Sequence, residues 1–270
     1  MEGEAQSAER GFGTALCIIT GASKGFGRSL AREIAHLVKP GSVLLLVARS
    51  SEKLLELKEE LTSSEAGNVG LTVRCVSADL GQKAEVESVV KAAREIPSSN
   101  IDHLLLFNNA ASLGDVSRYA RSFTDMDEVD SYLSLNVSSA LCLTAGILQA
   151  FPARDGLHRR AVNISSLCVV KPFPSWVLYC SGKAARDMMF QVLAKEEPDL
   201  RVLNYAPGPL DTDMHLHARS NTADESMKKI FVDMHSEGRL LTCEESVGKL
   251  IKVLLEDGYQ SGAHVDFYDV

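Results

Sequence analysis

Short β-rich runs alternate along the chain with longer amphipathic stretches. Leu16 to Thr20, Ser42 to Val47, Leu71 to Val76, His103 to Phe107, Ala161 to Ser165, Arg201 to Tyr205 and Ala263 to Phe267 read as strands. Their near-continuous hydrophobicity is expected of strands buried on both faces. The segments between them, for example Gly25 to Val38 and Glu52 to Ser64, are long enough for crossover helices, with a further helix near Cys243 to Glu256. The pattern predicts an α/β chain: one doubly wound parallel sheet of about seven strands with helices on both faces. No repeat, low-complexity tract or linker divides it, so residues 14–270 read as a single domain preceded by a flexible arm over residues 1–13. The least regular insertion is polar and charged, His215 to Arg239. Following a strand's carboxyl end, it reads as a lid (215–239) over a ligand crevice.

Composition narrows the partners. With 270 residues and 45% hydrophobic content, the chain can bury a sizeable core, which excludes disorder and a coiled coil. The net charge is −8, from 28 Lys plus Arg against 36 Asp plus Glu, and such a field repels phosphate backbones, so no nucleic-acid partner is expected. Apolar runs such as Val43 to Ala48 stop after a handful of residues, whereas a spanning helix needs about 20, so no membrane segment is expected. Met1 to Gly13 carries Glu2, Glu4 and Glu9 and lacks the basic start and apolar stretch of a secretory signal. Six cysteines without a CxxC pair read as reduced thiols, mostly core filler, and together these features predict a cytoplasmic protein.

Chemistry begins after the first strand, at Thr20-Gly21-Ala22-Ser23-Lys24-Gly25-Phe26-Gly27. Glycines permit a sharp turn and close approach to a pyrophosphate, and the helix that follows offers free N–H groups to its charge. The plain alternative is an ordinary strand-to-helix turn, but the position in an alternating chain favours a dinucleotide site. No lysine followed by Ser or Thr comes after the last glycine, which argues against a P-loop. At the end of the second strand, Ala48-Arg49 replaces the acidic residue that would bind the ribose diol of NAD. Arg49, with Lys24 nearby, suits a 2′-phosphate and favours NADP(H), unless both are solvated surface charges.

Farther along, Tyr179 and Lys183 stand four residues apart on one helix face. A neighbouring ammonium is expected to favour the Tyr179 phenolate and ease proton relay. Ser166, thirteen residues before Tyr179, offers a hydroxyl to a carbonyl oxygen. Ser165 is its rival, but alternation sends the two side chains to opposite faces.

The TGxxxGxG spacing, the YxxxK pair and Pro207-Gly208 after the sixth strand together resemble the short-chain dehydrogenase/reductase family, over nearly the whole chain from about Leu16. The resemblance implies a Rossmann-like fold. It also implies an adenine-contacting turn at Ala78-Asp79, an NNAG-like element at Asn108-Asn109-Ala110-Ala111 with Ala111 in place of glycine, and a tetrad of Asn136, Ser166, Tyr179 and Lys183. In that tetrad Asn136 holds a water of the proton relay, and Lys183 also contacts the nicotinamide ribose. Leu210, Asp211, Thr212, Asp213 and Met214 join the cofactor side. Asn163 to Cys168, Leu178 to Met188, Leu203 to Met214 and Ser261 to Asp269 resemble, more closely, that family's reductases of pterin side-chain ketones. This implies a homodimer and a pterin pocket in which the Asp266 carboxylate pairs with the ring's N–H edge. Leu167, Trp176, Gly208 and Met214 would form its apolar walls, beside Ser166 and Tyr179. Rival readings are a reductase of other dicarbonyls or steroid ketones, and a catalytically silent NADPH-binding regulator.

Three further motifs read plainly. His215 and His217 lack a third ligand at metal spacing, so no metal is expected. Arg219 to Thr222 resembles a basophilic kinase site in an exposed loop. The run Thr124 to Asp130 reads as a helix start with Asp125 and Asp127 at its positive end.

Overall fold

The computed structural model describes residues 11–63 and 70–270. Ser64 and residues 1–10 of the expected arm lie outside the described residues. Seven parallel strands form one sheet in the order β3-β2-β1-β4-β5-β6-β7. They are β1 (Ala15–Thr20), β2 (Val43–Ala48), β3 (Thr72–Ser77), β4 (His103–Asn108), β5 (His158–Ile164), β6 (Leu200–Ala206) and β7 (His264–Asp266). The order reverses between β1 and β4, which opens a crevice at their carboxyl ends, where doubly wound folds bind ligands.

Side-chain alternation along β1 sorts the core into two layers. Cys17 and Ile19 face α1 (Gly25–Ala35), α2 (Ser51–Thr62) and α9 (Cys243–Glu256), packing with Leu30, Leu57 and Leu250. Leu16 and Ile18 face α3 (Lys83–Arg94) and α5 (Ser139–Ala150), packing with Val89, Leu143 and Ile147. Between β4 and α5 lie α4 (Met126–Leu133), N-capped by Asp125, and a π-helical turn (Ser134–Ser138). The run Met126–Ala150 is, by length and composition, apolar enough to cross a membrane, unlike the short runs the sequence emphasises. In this fold its Leu143 and Ile147 side covers the sheet.

Differences from the pattern have local causes. The body begins before residue 14: Phe12 is 2% exposed, donates its N–H to the Leu37 carbonyl at 2.7 Å and bridges Val38. That bridge also accounts for α1 ending at Ala35 rather than Val38. β5 starts at His158 because Arg159, although buried, is paired with Glu197 and Asp199 at 2.9 and 2.8 Å. The expected irregular lid is two helices, α7 (Asp213–Asn221) and α8 (Glu225–Ser236). Thr212 caps the first and Asp224 the second. Thr222 does not sit in an exposed loop. It is buried, accepts from the Trp176 indole at 3.0 Å and donates to the Ala218 carbonyl at 2.7 Å.

Candidate active site

The glycine loop is held from behind. The Thr20 hydroxyl donates to the Phe107 carbonyl and accepts from the N–H groups of Asn109 and Ala110, both at 3.0 Å. Asn109 Nδ2 donates to the carbonyls of Thr20 and Gly21. Gly21 takes a φ of +67°, and a Cβ at Gly27 would run into the Gly21 carbonyl oxygen and come within 2.6 Å of Asn109 Nδ2. The loop ends at α1, whose N-cap residue Lys24 provides no side-chain cap and whose first turn has no acidic residue. Free N–H groups beside a closely approachable backbone fit a pyrophosphate. Phe26 contributes only backbone there, since its ring is buried and stacked on Tyr205.

The two expected cations differ. Arg49, beyond Ala48 at the end of β2, is exposed and has no ion-pair partner among the described residues. Lys24 instead pairs with Asp213 at 2.6 Å, an exposed contact that joins the glycine loop to α7. Asp79 lies in the turn after Ala78 and accepts from the Gly81 N–H at 3.0 Å. Asn108 is buried, its amide donating to Thr144 at 2.9 Å. Leu210 bridges Leu241, whose carbonyl also takes the Asp211 N–H.

Tyr179 and Lys183 project from α6 (Val177–Glu196), and both are buried. Tyr179 meets the Ser166 hydroxyl, while Lys183 Nζ lies 5.6 Å from the Tyr179 ring and donates to the Ile164 carbonyl at 2.6 Å. The expectation that Lys183 lowers the phenol's proton affinity is corrected here. Burial dominates and pushes the Tyr179 phenol up, offset in part by the Ser166 hydrogen bond and the Arg186 charge. Burial, then Arg186, pushes Lys183 down to about 7. A phenol kept protonated is the form that can donate to a carbonyl oxygen. Ser165 turns inward to Asp187 while Ser166 turns to Tyr179, as alternation requires.

Asn136 sits in the π-helical turn. Its Oδ1 accepts from the Ser112 N–H at 2.7 Å and its Nδ2 donates to the Tyr132 carbonyl at 3.0 Å. Both bonds brace the loop after β4, and the amide keeps a second N–H and a second lone pair beyond them.

On the substrate side, Met214 approaches the Tyr179 hydroxyl, with Sδ at 4.0 Å. Trp176 packs edge-on to Tyr179 and stacks on Phe231 of α8, at 5.5 and 4.9 Å between ring centroids. Leu167 is exposed, and Gly208 takes a φ of +76°. Asp266 ends β7 beside Ala206, and its side chain caps the turn that follows: Oδ1 accepts from the Tyr268 N–H at 3.0 Å, and the carboxylate also takes the Asp269 N–H in a capping box. His215 instead lies against Phe231 and Arg219. Among the described residues no three His, Cys, Asp or Glu groups converge on a metal position.

Residues 15–223 match the short chain dehydrogenase family. The chain belongs to that family. This short chain dehydrogenase is 51% identical to the sepiapterin reductase of Xenopus laevis over 257 residues, covering 95% of this chain and 97% of that protein. It is 52% identical to the sepiapterin reductase of Meriones unguiculatus over 260 residues, covering 96% and 98%. The structure of L-sorbose reductase from Gluconobacter frateurii complexed with NADPH and L-sorbose superposes with a TM-score of 0.76 at 26% identity, covering 96% of each chain. The dehydrogenase also holds a buried network that motif spacing did not reveal. Arg186 donates to the carbonyls of Asn108 and Ala110 and, at 2.8 Å, to Asn163 Oδ1. Asp187 accepts from Asn163, Ser165 and, at 2.5 Å, His264. Helical spacing from Lys183 was the available signal, since residues three and four positions on share its face.

Proposed function

We propose that this short chain dehydrogenase reduces pterin side-chain ketones with NADPH: 6-pyruvoyl-tetrahydropterin to tetrahydrobiopterin, and sepiapterin to dihydrobiopterin. The observation that carries the reading is the meeting of Ser166 and Tyr179 beside Lys183, in a chain about half identical to proteins named sepiapterin reductase. NADPH, when bound, supplies the hydride. The glycine loop and the α1 N-terminus hold its pyrophosphate, and Arg49 takes the 2′-phosphate.

In this reading Ser166 and Tyr179 hydrogen-bond the substrate carbonyl oxygen, and Tyr179 delivers the proton. Lys183 holds the β5 end through Ile164 and orders the relay behind Tyr179. Asp266 accepts the pterin's ring N–H and exocyclic amine. Leu167, Trp176, Gly208 and Met214 flank the ring, and α7 with α8 forms the lid over it.

A homodimer in the cytoplasm completes the proposal. Leu141 of α5 and Met188 and Val192 of α6 are 49%, 58% and 44% exposed on neighbouring helices, an apolar stripe suited to a second copy. Six free cysteines suit a reducing compartment.

The test mixes protein, NADPH and sepiapterin and follows loss of NADPH absorbance alongside formation of dihydrobiopterin. Oxidation of NADPH with other vicinal dicarbonyls or steroid ketones, but not with sepiapterin, would move the assignment within the family. Binding of NADPH without turnover on any ketone would make the protein a regulator.

A further inference from the structure

β7 is an edge strand of three residues, His264–Asp266, paired on one side only, with β6. Its middle residue, Val265, packs with the apolar layer that faces α1 and α9. Alternation therefore sends His264 and Asp266 together to the opposite face, that of α6. On that face one buried carboxylate ties three elements. Asp187 of α6 takes Asn163 and Ser165 of β5 at Oδ1 and, at 2.5 Å, His264 Nδ1 of β7 at Oδ2. Ser165 Oγ also lies 3.5 Å from His264 Nδ1. Asp187 stands one helical turn beyond Lys183, and Ser165 immediately precedes Ser166, so His264 is fastened to the backbone that carries the catalytic groups.

We propose that His264 is a positioning residue for the pterin: docked on Asp187, it seats β7 so that the Asp266 carboxylate meets the ring while Ser166 and Tyr179 hold the ketone. This deepens the pterin reading above and rests on it. A three-residue edge strand has few ladder bonds to fix its place, and the His264 contact crosses from it to the helix that bears Tyr179 and Lys183. The ring end and the ketone end of one substrate are thereby spaced by a single side-chain pair. A small dicarbonyl reaches only the ketone end and does not use that spacing.

The hold depends on charge. The charged groups that act on His264 are carboxylates: Asp187 of α6 and, from its own segment, Asp266 and Asp269. β5 adds the Ser165 hydroxyl, and β6 sets the uncharged Asn204 beside it. The hydrogen bond to Asp187, first among the causes and outweighing burial, keeps the imidazolium above its ordinary value. A charged hydrogen bond is roughly twice as strong as a neutral one. His264 therefore holds β7 most firmly below its ordinary value, and the hold slackens as pH rises through the raised one.

The experiment compares kcat/KM for sepiapterin with kcat/KM for butane-2,3-dione, using the full-length protein and saturating NADPH, from about pH 6 to about pH 9. Lys183, brought down to about 7, titrates in the same range, but it serves both substrates, so the ratio of the two removes its contribution. The ratio is expected to fall about three- to tenfold across the range, through the KM for sepiapterin rather than its kcat relative to the dione. His264→Gln, which keeps an N–H but carries no titrating charge, should flatten the ratio. His264→Ala should lower it about tenfold at about pH 6, while the dione is reduced as before. A native ratio that does not fall with pH would overturn the proposal, whether or not the variants fold. So would a His264→Gln ratio that falls as the native one does, or equal losses on both substrates in His264→Ala. Reduction of the dione without turnover of sepiapterin at any pH would instead remove the pterin reading, and this proposal with it.

Discussion

Asp187→Asn tests the buried network behind the catalytic pair. In the native protein the carboxylate is fully buried and receives three donors, from Asn163, Ser165 and His264. An amide there can still accept from Asn163 and Ser165 at one oxygen, but it places an NH2 against His264 Nδ1 and removes the charge that holds the imidazolium. Breaking a buried charged pair by removing one partner costs about 3–5 kcal/mol. For a chain of this size each kcal/mol shifts Tm by about 2–4 °C, so a drop of roughly 6–20 °C is expected. The loss should depend on pH in a definite sense. The Asp187 hydrogen bond, outweighing burial, raises the His264 imidazolium above its ordinary value, so His264 stabilises the fold fully below that ordinary value and loses the contribution as pH rises through the raised one. The Tm gap between native protein and variant should therefore be wider at about pH 5.5 than at about pH 9. Thermal melts across that range read the gap directly. A gap below about 2 °C, or one that widens with pH, would refute the reasoning.

Tyr179→Phe should lower kcat for sepiapterin about 10²- to 10⁴-fold with NADPH affinity unchanged, as measured by steady-state turnover and NADPH fluorescence titration. Arg49→Asp should reduce the NADPH-over-NADH preference in kcat/KM about 10- to 100-fold, because a charged hydrogen-bond partner is lost and Lys24 is already paired with Asp213. Asp266→Asn should keep the cap on Tyr268, and hence the fold, yet lower kcat/KM for sepiapterin about 10- to 100-fold, while small vicinal dicarbonyls are reduced as before. Equal losses on both substrate types would assign Asp266 to the fold alone.

What could be read from the sequence was local. The strand runs, the glycine loop and the spacing of Tyr179 and Lys183 are repeats and offsets within a few residues, and the parallel sheet follows from continuous apolar strands. The lid's helicity escaped because α7 and α8 carry few buried residues and are defined by their Thr212 and Asp224 caps. The pairing of Lys24 with Asp213, 189 positions away, leaves no trace in either neighbourhood. The protonated Tyr179 is a tertiary effect: desolvation by the surrounding core outweighs the Ser166 hydroxyl and the Arg186 charge. Arg159 shows the same limit, since an arginine at a strand's start reads as loop until Glu197 and Asp199 are seen beside it.

The knot of hydrogen bonds between Thr20 and Asn109 has a kinetic meaning. It joins positions 89 residues apart and lies across the β1–β4 seam, where the two halves of the sheet meet. Closing so long a loop costs entropy before any contact repays it, so long-range parallel pairing is a slow step of folding. The glycine loop therefore acquires its final shape only after both halves have docked. During refolding from denaturant, helical signal should return well ahead of the capacity to bind NADPH, and the interval between them measures the docking of the two half-sheets.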